Sequence, residues 1–274
     1  VKVSEEKPAE VKVHEAKVIE RRGLSPKKVL LAAFLLSIVG FAVLDLDGDG
    51  LLNIQEVFVR SNILAFDTDG DHISDGVEVK LGSSPVAVDT DGDGLSDNLE
   101  LVMGTSLLSS DTDSDGLSDY EEVNMYFTNP TAYDSDGDGL SDYKEVIEYG
   151  SNPLVKDTDG DSLADGEEIE YGGNPLVKDT DGDGLSDYVE YKIGTSLSNK
   201  DTDDDGLSDY KEHIVYKTDP CAKDSDGDLL SDYYEVVVYK TSPLRVDTDY
   251  DGLSDYEEVF VRYTNPLLSD TDGD

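Results

Sequence analysis

Twelve-residue loops with oxygen-bearing side chains at positions 1, 3, 5, 9 and 12 recur ten times in this 274-residue chain. The copy Asp179-Thr-Asp181-Gly-Asp183-Gly-Leu-Ser-Asp187-Tyr-Val-Glu190 shows the pattern most plainly. Carboxylates two residues apart on a tightly turning backbone converge on one point, and a distal Glu can close the shell with both oxygens, which is the chemistry of a hard-cation cage. Ca2+ fits this donor set better than Mg2+, which prefers fewer carboxylates and more water.

The candidate ligands are Asp45, Asp47, Asp49, Asn53 and Glu56 in the first copy, then Asp67, Asp69, Asp71, Asp75 and Glu78 in the second. The third and fourth supply Asp89, Asp91, Asp93, Asp97, Glu100 and Asp111, Asp113, Asp115, Asp119, Glu122. The fifth and sixth supply Asp134, Asp136, Asp138, Asp142, Glu145 and Asp157, Asp159, Asp161, Asp165, Glu168. The seventh and eighth supply Asp179, Asp181, Asp183, Asp187, Glu190 and Asp201, Asp203, Asp205, Asp209, Glu212. The last two supply Asp224, Asp226, Asp228, Asp232, Glu235 and Asp247, Asp249, Asp251, Asp255, Glu258. An eleventh copy opens at Asp270. Glu121, Glu167 and Glu257 at position 11, with the first Asp of the next copy, are candidates for a second ion per unit.

The loops start 22 or 23 residues apart, the signature of stacked units that contact mainly their neighbours. The net charge is −43, and ten Ca2+ ions would bring it to −23. Without counter-ions, five carboxylates in one loop repel strongly, so a plain solvated charge run does not account for the pattern. Between loops, segments such as Asp119 to Tyr126 predict two helical turns opened by Ser118. Thr128-Asn-Pro130, Gly150, Gly172 or Gly194 then stops the helix.

Three apolar places recur. Position 7 is Leu in most copies, from Leu95 to Leu253; position 13 is Val or Ile, as in Val123 and Ile169; and Leu154, Leu176, Leu244 and Leu267 follow a Pro. So small a core cannot hold a 22-residue unit alone, and the metal must supply much of the stability. Tyr at position 10, as in Tyr143, Tyr188 and Tyr210, reads as packing against a neighbouring unit rather than as a ligand-stacking ladder. Position 6 calls for a positive φ, so His72, Ser162 and Leu229 in place of Gly predict weaker or distorted sites.

The spacing fits an EF-hand loop, but position 8 is Ser where that loop has an apolar residue, and two full helices per unit do not fit. The string Asp-Thr-Asp-Gly-Asp-Gly-Leu-Ser-Asp at 179–187 and Thr-Asn-Pro-Leu at 264–267 instead resemble the thrombospondin type 3 repeat in its cysteine-free microbial form. That resemblance, covering roughly 45–274, implies extracellular, metal-stabilised repeats with little regular secondary structure around a line of calcium ions. Cys221 is the sole cysteine, which leaves metal alone to staple the fold.

Residues 1–44 differ, carrying eight Lys/Arg and five Asp/Glu. Residues 1–28 read as a charged, disordered or leader segment, and 29–44 as a hydrophobic helix for a membrane or a filament. Arg21, Arg22, Lys27 and Lys28 precede it, which orients the repeats outward. An uncleaved anchor, a cleaved signal and a third option compete. In the third, Arg21-Arg-Gly23-Leu-Ser-Pro26 resembles an archaeal type IV pilin leader, which implies a cut after Gly23 and a helix retained in a filament core.

No catalytic constellation is present: His14, His72 and His213 are scattered, and every candidate carboxylate pair has a loop position. The acidity excludes nucleic acid as a partner. The fold class expected is an elongated calcium-stabilised tandem repeat, 45–274, with irregular loops, short helices and an N-terminal hydrophobic helix. The function expected is an extracellular calcium-binding stalk or filament protein at the cell surface, not an enzyme. Its partners would be Ca2+, membrane or like subunits through 29–44, and other surface proteins or polysaccharide if it is adhesive. The alternatives are a spacer in a longer surface hydrolase and a calcium sensor.

Overall fold

The computed structural model describes residues 25–273. The charged segment at 1–24, with His14 and Gly23 of the leader-like motif, lies outside the described residues, as does Asp274. By internal contacts the chain divides into two units, Val1–Thr112 and Asp113–Asp274. Among the described residues there is no strand; the fold is built from loops and short helices.

Helix α1 spans Pro26–Ala42, so it begins three residues before the expected Val29 and ends two before Leu44. Proline at the first helical position has its φ preset and no N–H to waste, which moves the start upstream. None of its residues is buried. Among the described residues no helix is long and apolar enough to cross a membrane.

In each repeat a helix then begins at position 9 of the loop. Five are α-helices of seven residues: α2 (Asn53–Val59), α3 (Asp75–Leu81), α4 (Asp97–Met103), and those at Asp165–Tyr171 and Asp187–Ile193. The other five contain a π-helical turn, at Glu122–Tyr126, Lys144–Tyr149, Lys211–Tyr216, Tyr234–Tyr239 and Glu258–Arg262. The two classes match the two repeat lengths. Repeats starting at 45, 67, 89, 157 and 179 have 22 residues and an α-helix; those starting at 111, 134, 201, 224 and 247 have 23 and a π turn. The extra residue is absorbed by widening one helical turn, so the loops on either side keep their geometry.

Every repeat helix ends on a left-handed residue. Gly150, Gly172 and Gly194 do so as expected, and Gly82, Gly104, Arg60, Phe127, Lys217, Lys240 and Tyr263 take the same conformation. The stop is therefore this residue, Phe127 rather than Thr128-Asn-Pro130 in its repeat, and the proline belongs to the turn that follows.

Position 7 forms the apolar core: Leu51, Ile73, Leu95, Leu117, Leu140, Leu163, Leu185, Leu207 and Leu230 are buried. Leu253 is only half-buried. Val123, Val146, Ile169, Val236 and Val259 at position 13 are half-buried, and Leu154, Leu176, Leu244 and Leu267 after the prolines are exposed. It is Pro153, Pro175 and Pro266 themselves, or Leu107 and Leu197 in the same place, that pack inside. Among the bulkiest fully buried side chains are the glutamates of position 12.

Candidate metal centres

The first half of each loop is a nest of turns organised by its own carboxylates. In the repeat from 179, Asp179 Oδ1 accepts the N–H of Gly182 and its Oδ2 that of Gly184, at 2.7 and 3.1 Å. Asp181 Oδ1 accepts the N–H of Asp183, and Asp183 Oδ1 that of Leu185. The chain folds around these acceptors because Asp side chains readily bond backbone N–H groups a few residues on. The result brings ligand oxygens of Asp45, Asp47 and Asp49 within 4.8 Å of one another, and likewise those of Asp67, Asp69, Asp71 and of Asp134, Asp136, Asp138.

The wrapping requires left-handed backbone at positions 4 and 6. Together with the helix stop, these places account for every positive-φ residue of the ten complete repeats, including all eleven that are not glycine. His72 (φ 86°), Ser162 (92°) and Leu229 (85°) keep the geometry of glycine, and each still donates its N–H to the first Asp of its loop. The expected distortion at those loops is absent, since two bonds from the first Asp over-determine the turn. Position 4 imposes the same demand on Ser114, Asp204 and Tyr250, which the sequence reading missed.

What these bonds leave over defines the site. The second oxygen of the position-3 Asp is buried without a hydrogen-bond partner in Asp47, Asp69, Asp136, Asp159, Asp181, Asp203, Asp226 and Asp249. Both carboxylate oxygens are buried and partnerless in Glu56, Glu78, Glu168, Glu190 and Glu212. One is so in Glu122, Glu145, Glu235 and Glu258, whose other oxygen takes a hydroxyl from Thr128, Ser151, Thr241 or Thr264. Burial pushes these glutamates up, to about 9 in Glu168, Glu190, Glu212 and Glu235, and to about 8 in Glu78, Glu122 and Glu145. In most of them the largest electrostatic contribution after burial comes from the position-3 Asp of the same loop, Asp181 for Glu190. Buried, mutually facing carboxylates without partners are costly unless a cation lies between them or protons neutralise them. The donor set fits a divalent cation held by positions 1, 3, 5 and 12.

Position 9 makes hydrogen bonds of its own. Asp187 gives its two oxygens to the N–H and the hydroxyl of Thr180, at 2.8 and 2.5 Å. Asp75 does the same with Thr68, Asp142 with Ser135, Asp165 with Thr158 and Asp232 with Ser225. Asp187 also faces Glu168, and Asp209 faces Asp183 and Glu190, so position 9 looks back at the preceding repeat. A second acidic cluster therefore forms from positions 5 and 12 of one repeat and position 9 of the next. Glu121 takes no part in it; it caps its own helix through the N–H and hydroxyl of Ser118. The hydroxyl at position 2, present as Thr or Ser in every repeat after the first, was the available signal.

Neighbouring repeats are tied by the same acids. The second oxygen of Asp161 accepts the N–H of Tyr188, that of Asp183 the N–H of Tyr210, and that of Asp205 the N–H of Tyr233, at 2.6–2.8 Å. The rings pack on the position-6 glycines. A Cβ on Gly184 would lie 3.1 Å from the ring of Tyr210, and one on Gly206 2.9 Å from that of Tyr233. Tyrosine at position 10 is thus a packing residue.

The bacterial TSP3 repeat family matches eight segments, at residues 67–86, 89–105, 111–131, 134–156, 157–178, 179–195, 201–221 and 247–269, more than half of the chain. No curated protein and no solved structure matches it.

Proposed function

The chain belongs to the bacterial TSP3 repeat family, and we propose that it is an extracellular, calcium-stiffened stalk anchored at the cell surface through 29–44, with 45–274 as its repeat domain. The family is one of calcium-binding structural repeats rather than of enzymes. The observation that carries the reading is the recurrence, in repeat after repeat, of buried position-3 and position-12 carboxylate oxygens without a partner. Positions 1, 3, 5 and 12 hold the ion in each loop, and position 9 serves the boundary with the preceding repeat. Calcium there neutralises the core and fixes the turns on which the next repeat docks.

Helix α1 supports the anchoring part. Val29, Leu30, Leu31, Phe34, Leu35 and Leu36 are exposed on successive positions, so it is apolar on all sides. At 17 residues it is about 25 Å long, short for a full span, which favours a bundle of like helices over lipid. Other surface proteins or polysaccharide would be its outer partners.

Native mass spectrometry of the calcium-loaded chain tests the reading. At least one Ca2+ per complete repeat is expected, and two if the boundary cluster also fills. A chain that takes up only one or two ions in all would overturn it.

A further inference from the structure

The loop at 45–56 precedes the first family match, which begins at residue 67. It has the same convergence of three carboxylates, Asp45, Asp47 and Asp49. Glu56 is fully buried, neither of its oxygens has a partner, and its largest electrostatic neighbours are Asp47 and Asp49. The second oxygen of Asp47 is also buried and partnerless.

One position sets this loop apart. Position 9 is Asn53, where the other nine repeats have Asp, and position 2 is Leu46, which has no hydroxyl to brace it. Asn53 is 1 % exposed. Its Nδ2 donates to the carbonyl of Phe41 at 2.9 Å, in the last turn of α1, and its backbone N–H donates to the carbonyl of Leu44 at 2.7 Å. Its Oδ1 has no partner. Asp in this place would have no N–H for Phe41. It would also set a negative charge against the carbonyl end of α1, where the helix dipole is already negative. Asn53 and Glu56 stand three apart on α2, hence on one face of it.

We propose that an ion in the loop at 45–56 fixes the end of α1 through Asn53. This rests on reading the repeats as calcium sites. The ion gathers Glu56 with Asp45, Asp47 and Asp49. Asn53 turns its Oδ1 toward the same charge and is thereby held with its amide against Phe41. The helix is then joined to the first repeat by a side chain whose orientation depends on the metal.

The test uses the full chain in a Cys221→Ser background, with spin labels at Ser37→Cys on α1 and Phe58→Cys on α2. Distance distributions across the joint are read by pulsed EPR, and ions are counted by native mass spectrometry. With calcium the unsubstituted joint should give a narrow distribution. Glu56→Gln, or Asp47→Asn as an independent variant, should lose one ion and broaden the distribution. Asn53→Asp should keep the ion and broaden it. A full ion count in both Glu56→Gln and Asp47→Asn would overturn the site, and a narrow distribution in Asn53→Asp would overturn the coupling. If the parent chain binds no calcium anywhere, the reading of all the repeats falls. If the later loops fill and only these variants are silent, this inference falls alone.

Discussion

Helix α1 turns its large apolar side chains outward, Leu30 at 75 % and Phe34 at 62 % exposed, while the repeats keep fully buried glutamates such as Glu78 and Glu190 inside. Each region reverses the usual rule, and each for want of a partner of a different kind. The helix needs apolar surroundings; the repeats need positive charge. On the function proposed above, one chain couples an anchor stabilised by apolar burial to a shaft stabilised by metal, and the two should fail under different treatments.

Removing metal should separate them most sharply. Excess chelator leaves several buried carboxylates per repeat facing one another, and the few buried leucines cannot offset the chain entropy. Circular dichroism should lose most repeat structure, and 45–273 should become protease-sensitive while α1, held in the bundle proposed for it, stays helical. Repeats that resist protease in chelator would break the comparison, because their buried acids would then need no ion.

The shaft was more legible in the sequence than its joints. Positions 1, 3, 5 and 12 announce themselves, since a cation cage demands carboxylates at fixed intervals. Position 9 carries the same residue type and also clamps the Thr or Ser of position 2, a second role that residue type alone does not announce. Phe127 and Lys217 as helix stops were invisible, because only the tertiary frame forces such residues into left-handed backbone. The alternation of 22 and 23 residues was plain, yet its resolution as a π turn follows from the need to keep successive loops in register.

The anchor can be attacked alone. Ala33→Asp or Ile38→Asp puts a charge on a helix that turns apolar side chains to its surroundings on every side. In lipid the cost is about 2.5–3.5 kcal/mol for a charge at the centre of a span. Cell fractionation should find the protein released while its calcium count is unchanged. Release with a lowered count would mean that the two regions do not fail separately.

Within the shaft, Glu190→Gln removes one formal charge but keeps the shape. The ion of the loop at 179–190 should be lost or weakened, with native mass spectra showing at least one ion fewer. Since Glu190 also faces Asp209 of the next repeat, the loop at 201–212 should weaken with it. Loss confined to the one loop would argue against the boundary cluster.

Protons should partly replace calcium. The folded metal-free chain raises Glu168, Glu190 and Glu212 from 4.5 to about 9, so it binds more protons than the unfolded chain between those values. Its stability therefore rises as pH falls from about 9 and is fully gained below about 4.5. Calcium affinity runs the other way, because the same protons compete for the ligands. Circular dichroism of chelated protein should recover signal from pH 9 to pH 5, while calcium titrations weaken over that range. A flat dichroism profile would show that these glutamates do not govern the apo fold.

The smallest effect tests the backbone of a single loop. Leu229 holds φ 85° with its side chain 74 % exposed, so little packing repays the left-handed conformation. Relief of that strain by Leu229→Gly gains about 1–2 kcal/mol, and the added freedom of the unfolded chain returns roughly 0.4–1 kcal/mol. The net is a stabilisation of roughly 0–1.6 kcal/mol, which calcium affinity at 224–235 should share, because the N–H of residue 229 orients Asp224. Gly184→Ala reverses the sign. Its φ of 114° is strained for alanine, and the new Cβ meets the ring of Tyr210 at 3.1 Å, so both the turn and the packing of the next repeat suffer. Thermal melts of the two variants in saturating calcium compare the effects directly. A destabilised Leu229→Gly would mean that leucine is held there by a contact outside the loop, and that position 6 is not where the repeats store strain.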